Sequence, residues 1–166
     1  MKVYNFSQYS SLYNKFLSEL RDENIQKDSM RFRKNLERLG EISAYEISKT
    51  LPENSQVTKT PLGTSKTTVP SENLVLATVL RAGLPLHNGL LKYYDNAENC
   101  FISAYRKHTS KEEFEVEIQY MASPNLSDKI VLLSDPMLAT GRSMVLAYNA
   151  LLKKFIPPKI HIVCVI

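Results

Sequence analysis

The chain has 166 residues, 43% of them hydrophobic and 23% charged, the make-up of an ordinary globular protein able to bury a core. No apolar run approaches the roughly 20 residues that span a bilayer, and residues Met1 to Tyr13 are interrupted by Lys2, Asn5, Ser7, Gln8 and Ser10. That excludes the apolar stretch of a secretory signal, so no membrane association and a cytoplasmic location are expected. The net charge of +4 points weakly to an anionic partner. The long basic block or aromatic–basic alternation of an RNA-binding surface is missing, and no nucleic-acid partner is expected.

In chain order, Phe6 to Leu20 carries apolar residues at Tyr9, Leu12, Tyr13, Phe16, Leu17 and Leu20, which predicts a helix. A second helical stripe follows the capping pair Asp28-Ser29. It runs through Phe32, Leu36, Leu39, Ile42, Tyr45 (or Ala44) and Ile47, and stops before Leu51-Pro52. Asn54 to Pro70 is rich in Thr, Ser, Lys and Pro. It reads as a hairpin or extended arm with β-like pieces at Val57–Leu62 and Thr67–Val69.

After the arm the pattern changes. Leu74–Leu80 is a continuous apolar run, as expected of a parallel strand buried on both faces. A helix over Leu86–Tyr94 follows, then a strand at Cys100–Tyr105 and a more exposed strand at Phe114–Met121. Lys129–Leu133 is a further buried strand, Ser143–Phe155 a helix, and Lys159–Ile166 a last buried strand. Strands alternating with helices predict an α/β fold with a mostly parallel sheet flanked by helices. One unit is expected over 1–166, divided into a helical arm (1–52), an extended β arm (53–70) and an α/β core (71–166). A buried strand is an odd place for a chain to stop, so a C-terminal truncation after Ile166 is also expected.

Cys100 and Cys164 lie in apolar runs without Cys-x-x-Cys spacing and read as small buried hydrophobes. His87, His108 and His161 are scattered, so no protein metal site is expected. His87 reads as a surface residue.

Ligands of open α/β sheets bind beyond the carboxyl ends of the strands. Three segments are expected there: Arg81-Ala82-Gly83, Arg106-Lys107, and Ser134 to Arg142. The last is the richest. Five apolar residues deliver Asp135 to a strand tip, and Ala139-Thr140-Gly141 are small enough for backbone N–H groups to approach an anion. The helix from Ser143 adds its positive end. A phosphate could be held by those amides and by the hydroxyls of Thr140 and Ser143, with Asp135 facing an attached sugar. The loop is not a Walker loop, because Gly-Lys-Ser/Thr is absent. The same residues would also suit a plain turn and helix start.

The run Leu132-Leu133-Ser134-Asp135-Pro136-Met137-Leu138-Ala139-Thr140-Gly141 resembles the phosphoribosyl-pyrophosphate (PRPP) loop of the uracil phosphoribosyltransferase family. Val79-Leu80-Arg81-Ala82-Gly83-Leu84 resembles that family's pyrophosphate loop, and Tyr105-Arg106 its Tyr-Arg pair. Leu20-Arg21-Asp22, Arg31-Phe32-Arg33, Ala44-Tyr45-Glu46 and Thr60-Pro61-Leu62 are similar in the same order. The resemblance implies the type I phosphoribosyltransferase fold and transfer of phosphoribose from PRPP to uracil, giving UMP and pyrophosphate in pyrimidine salvage. It implies that Asp135, Pro136, Met137, Leu138, Ala139, Thr140, Gly141 and Ser143 bind PRPP, with Ala139, Thr140, Gly141 and Ser143 at the 5′-phosphate and Asp135 at the ribose and in the catalytic role. Arg81, Ala82, Gly83 and Arg106 would bind pyrophosphate. Mg²⁺ would arrive with PRPP, and a homodimer or higher homo-oligomer is implied.

The chain departs from the family at Arg142, where a glycine is common, and at Pro85-Leu86-His87, where the family has Gly-Met and an acidic residue. It departs again at Lys107–Glu113, and it lacks the Gly/Pro-rich acidic segment that reads uracil. These departures leave two alternatives: a non-catalytic PRPP- or nucleotide-binding regulator on the same fold, or an RNA-binding regulator, against which the modest charge counts.

Overall fold

The computed structural model describes residues 2–108 and 114–166, with the side chains of all of these except 105–108 and 114–117. The first helix, α1, spans Leu12–Arg21, starting later than its apolar stripe. Asn5 Oδ1 accepts from the Ser7 amide and hydroxyl, and Asn14 Nδ2 donates to the carbonyls of Ser7 and Tyr9. These local bonds hold the chain in turns and compete with helix. Phe6 still packs edge-on against Tyr13, 5.8 Å between centroids.

A short 3₁₀ turn at Ile25–Lys27 leads into α2, Ser29–Ser48. The Asp28 carboxylate caps α2 by accepting from the amides of Met30 and Arg31, satisfying two donors that have no intrahelical partner. Of the two candidates for the stripe, Ala44 faces the core and Tyr45 is 59% exposed. α1 and α2 are tied by Glu19, which accepts from buried Asn35 at 2.8 Å and pairs with Arg31.

The arm is a hairpin of β1 (Glu53–Thr60) and β2 (Gly63–Pro70), paired along their whole length. It is longer than the two β-like pieces suggest, because pairing needs only backbone groups once Pro61-Leu62 makes the turn. Both strands are exposed nearly throughout, and they form a sheet of their own.

The core strands are β3 (Leu74–Leu80), β4 (Glu98–His108), β5 (Phe114–Ala122), β6 (Ile130–Ser134) and β7 (Lys159–Val163), in the order β5-β4-β3-β6-β7. All neighbours are parallel except β4 and β5, which bears out the mostly parallel sheet. α3 (Leu84–Leu91) lies on one face with α1 and α2, and α4 (Arg142–Lys154) lies on the other. Even-numbered β3 residues such as Leu74 and Leu76 face the first layer, and Val75, Ala77 and Val79 face α4. This two-sided burial explains why β3 reads as continuously apolar.

α3 begins two residues before its expected start, with proline in its first turn, where the missing N–H costs nothing. It crosses α2 at two glycines: a Cβ on Gly40 would stand 2.4 Å from the Leu86 carbonyl oxygen, and one on Gly89 2.0 Å from that of Glu37. Lys92 pairs with Glu37 and Glu41 beside the crossing. Tyr94, past the helix, donates to the Ala44 carbonyl at 2.7 Å. These contacts fix the height of α3, and therefore of the turn that feeds it.

β7 is shorter and less buried than Lys159–Ile166 led one to expect. It ends at Val163, and Ile162 is 47% exposed, because it pairs with β6 alone among the described strands. Among the described residues, no helix is long and apolar enough to cross a membrane.

Candidate active site

The strand order reverses at β3, which has β4 on one side and β6 on the other. At such a point the two connections diverge to opposite faces and leave a crevice beyond the strand ends. Thr78 lies opposite Ser134 in register, so the loop after β3 and the loop after β6 start side by side.

The loop after β6 is built around Asp135. Its amide donates to the Val163 carbonyl, and its Oδ1 accepts from the Met137 amide at 3.3 Å. This local turn aims the carboxylate along the loop. Residues beyond β7 clasp the far side: Val165 and Ile166 donate to the Pro136 carbonyl, and Leu138 donates to the Ile166 carbonyl at 2.7 Å. Pro136 is buried, whereas Met137, Leu138, Ala139 and Thr140 are exposed. Ala139 (φ 45°) and Gly141 (φ 74°) both take left-handed backbone. Left-handed residues turn successive amides toward one side, the arrangement of an anion-binding nest.

The Gly141 amide is taken by Leu138. Those of Ala139, Thr140 and Ser143 find no acceptor among the described residues. Gly141 is the N-cap of α4 and brings no side-chain cap, so the first turn of α4 adds its uncompensated donors and dipole. Arg142 is exposed in that first turn. A cation there is unfavourable for the helix by itself and suits an anion beside it.

The loop after β3 is tighter. The Leu80–Arg81 peptide is cis, Gly83 donates to Val79, and Leu84 donates to Arg81. Arg81 and Ala82 are exposed while Gly83 is buried. A Cβ on Gly83 would stand 2.2 Å from Thr78 Oγ1 and 2.6 Å from the Val79 carbonyl oxygen. Glycine is required here by space.

Several expectations change. Ser134 is the last residue of β6, not the first of the loop. Arg106 lies within β4, opposite Val116, and not in a loop after it. The cause is β5, whose antiparallel pairing carries β4 on to His108. The side chains of Tyr105 and Arg106 lie outside the described residues, as does the whole of 109–113. His87 is buried, 2% exposed, with Nε2 2.9 Å from Asn99 Oδ1. Burial lowers its pKa, partly opposed by Asn99. Its apolar-looking helix turns inward because α3 is covered by α2. Cys100 is buried as expected, but Cys164 is only half-buried, just past β7. Burial, and then the nearby charge of Asp135, push the Cys164 thiol up to about 11. The sequence reading missed Thr78 and Ser134 as a buried hydroxyl pair, although a lone threonine inside Leu74–Leu80 was the signal for it.

Residues 8–166 match the family described as uracil phosphoribosyltransferase. A uracil phosphoribosyltransferase of Porphyromonas gingivalis is 51% identical over 166 residues, covering 100% of this chain and 77% of that protein. One of Sulfolobus acidocaldarius is 39% identical over 160 residues, covering 91% and 73%. A solved protein from Aquifex aeolicus superposes with a TM-score of 0.81 at 30% identity, over 94% of this chain and 73% of that one. A hypoxanthine phosphoribosyltransferase of Staphylococcus aureus, at a TM-score of 0.53 and 18% identity over 80% of this chain and 62% of that one, shares the fold alone. A switch-point crevice flanked by an arginine turn and an Asp-led amide cradle, together with a match over nearly the whole length, means that the chain belongs to the uracil phosphoribosyltransferase family.

Proposed function

We propose that this chain transfers phosphoribose from PRPP to a uracil ring nitrogen, releasing pyrophosphate and forming UMP, the reaction named for its relatives. The observation that carries this reading is the loop after β6, whose Ala139, Thr140 and Ser143 amides find no acceptor among the described residues, between Asp135 and the start of α4. Those amides and the hydroxyls of Thr140 and Ser143 would hold the 5′-phosphate, with Pro136, Met137, Leu138 and Gly141 shaping the cradle. Asp135 would accept from ribose hydroxyls. Arg81, with the exposed backbone of Ala82, would neutralise the departing pyrophosphate, Gly83 holding the turn that presents them, and Arg106 joins them in this reading.

The donor set fits a magnesium ion that arrives on PRPP: the loop offers amides, hydroxyls and the single carboxylate of Asp135, and magnesium binds readily through substrate phosphates and water. When bound, the ion would offset charge on the pyrophosphate. The residues' own work is to align the anomeric carbon and to supply preorganised donors where charge develops. A cytoplasmic location belongs to the same reading. So does a homo-oligomer, for which the exposed β1–β2 hairpin offers a surface, since an isolated two-stranded hairpin is marginal in water.

The test is pyrophosphate release from PRPP and Mg²⁺ with uracil, xanthine, hypoxanthine or orotate. Turnover is expected with uracil, and Asp135→Asn should lower kcat/KM by roughly a hundredfold or more. If no base supports turnover while PRPP still raises the Tm, the enzyme reading fails and a ligand-binding relative remains.

A further inference from the structure

We propose that the buried hydroxyls of Thr78 and Ser134 are a positioning device, setting the separation between the arginine turn after β3 and the Asp135 loop after β6. The inference rests on the PRPP reading above and assigns a role to two residues that would not themselves touch PRPP.

Both residues are 0% exposed. Thr78 is the one polar residue within Leu74–Leu80, and Ser134 ends an otherwise aliphatic β6. Three close contacts join them across the central strand pair. Thr78 Oγ1 reaches the Ser134 carbonyl at 3.2 Å, Ser134 Oγ reaches Thr78 Oγ1 at 3.0 Å, and Ser134 Oγ reaches the Ala77 carbonyl at 3.2 Å. Two hydroxyl protons serve these three contacts. Thr78 donates to the Ser134 carbonyl, and the Ser134 proton is shared between Thr78 Oγ1 and the Ala77 carbonyl.

A core built for stability alone has no use for this pair. Ala77 and Val79 flank Thr78, Leu133 precedes Ser134, and replacing both hydrogen-bonding partners by apolar groups is close to neutral. A hydroxyl bond instead adds direction and distance, and here it acts where two loops begin. Gly83 stacks directly on Thr78, with space for a Cβ closed to 2.2 Å by Oγ1. Asp135 is the residue after Ser134. Thr78 thus touches the turn that presents Arg81 on one side and the strand tip that presents Asp135 on the other.

Misplacement of groups that must act on one substrate is costly: a shift of about 1 Å can lower a rate a hundredfold. In the full-length protein, Thr78→Val keeps the side-chain shape and removes the hydroxyl. It should lower kcat/KM for PRPP roughly tenfold while leaving the KM for uracil unchanged, and Thr78→Ser should restore it. Ser134→Ala should do less, because Thr78 still donates to the Ser134 carbonyl. That milder variant also keeps the idea testable if Thr78→Val folds poorly.

An undiminished kcat/KM for PRPP in Thr78→Val beside an active wild type would overturn the positioning role alone. So would a loss that Thr78→Ser does not rescue, or a KM for uracil that rises as much as the KM for PRPP. A wild type that releases no pyrophosphate from PRPP with any base would overturn the functional reading, and this proposal with it.

Discussion

The loops after β3 and β6 both turn on a glycine, yet Gly83 and Gly141 answer different demands. Gly83 has an ordinary helical φ of −68°, but a Cβ would collide with Thr78 Oγ1 and the Val79 carbonyl. Gly141 has φ 74° and nothing within 4 Å of an added Cβ. The first loop is packed down onto the sheet, and only Arg81 and Ala82 stand out from it. The second stands open, with consecutive exposed residues from Met137 to Thr140 and two left-handed positions, Ala139 and Gly141. One loop is fixed by what lies beneath it. The other is fixed by its own backbone and by the clasp from Val165 and Ile166.

Substitution separates the two demands. Gly83→Ala has no relaxed solution, because a backbone carbonyl at 2.6 Å cannot rotate away. A loss of about 3 kcal/mol is expected from such overpacking, with PRPP turnover lost too. Chemical denaturation and pyrophosphate release measure the two effects. A Gly83→Ala protein of wild-type stability would break the contrast.

Gly141→Ala should cost less, about 1–2 kcal/mol for an L-residue in left-handed backbone, since no atom obstructs it. Its effect should fall on the KM for PRPP, because strain relieved by moving this residue would misalign the amides before α4. If Gly141→Ala destabilised as much as Gly83→Ala, space and conformation would not be the separate causes argued above.

The smallest effect concerns acid. His87 lies in α3, against Asn99 and Phe101 of β4, and burial holds its pKa below 6.5; His161 in β7 is lowered by burial in the same way. In both cases the unfolded chain takes up protons first, so stability is full above about 6.5 and falls as the pH drops below it. His87→Gln, which can still bond Asn99, should flatten the decline of Tm between about pH 6.5 and 5 and leave the share due to His161. The lowered carboxylates Glu19 and Glu37 act only in a more acidic window, below 4.5. A Tm that does not change across the histidine window would mean that His87 is protonated without cost and that α3 gives way around it.

The sequence by itself determined the α/β class, the order of the elements and the Asp135 loop. Those features are local. Apolar run length and period mark strands and helices, Asp28 marks a helix start, and small residues after an aspartate mark an open loop ahead of a helix. What tertiary structure decided depends on neighbours distant in the chain. Asn5 delays the start of α1 through its own turn, and β5 draws Arg106 into β4 through pairing that residue type does not encode. α2 covers α3 and so buries His87, which looked like a surface residue in its short segment. Above all, the meeting of Thr78, Gly83 and Ser134 exists only because β3 and β6, 56 residues apart at Thr78 and Ser134, lie side by side in the sheet. Burial and register are properties of what packs against a residue, and a linear pattern records only what that residue could tolerate.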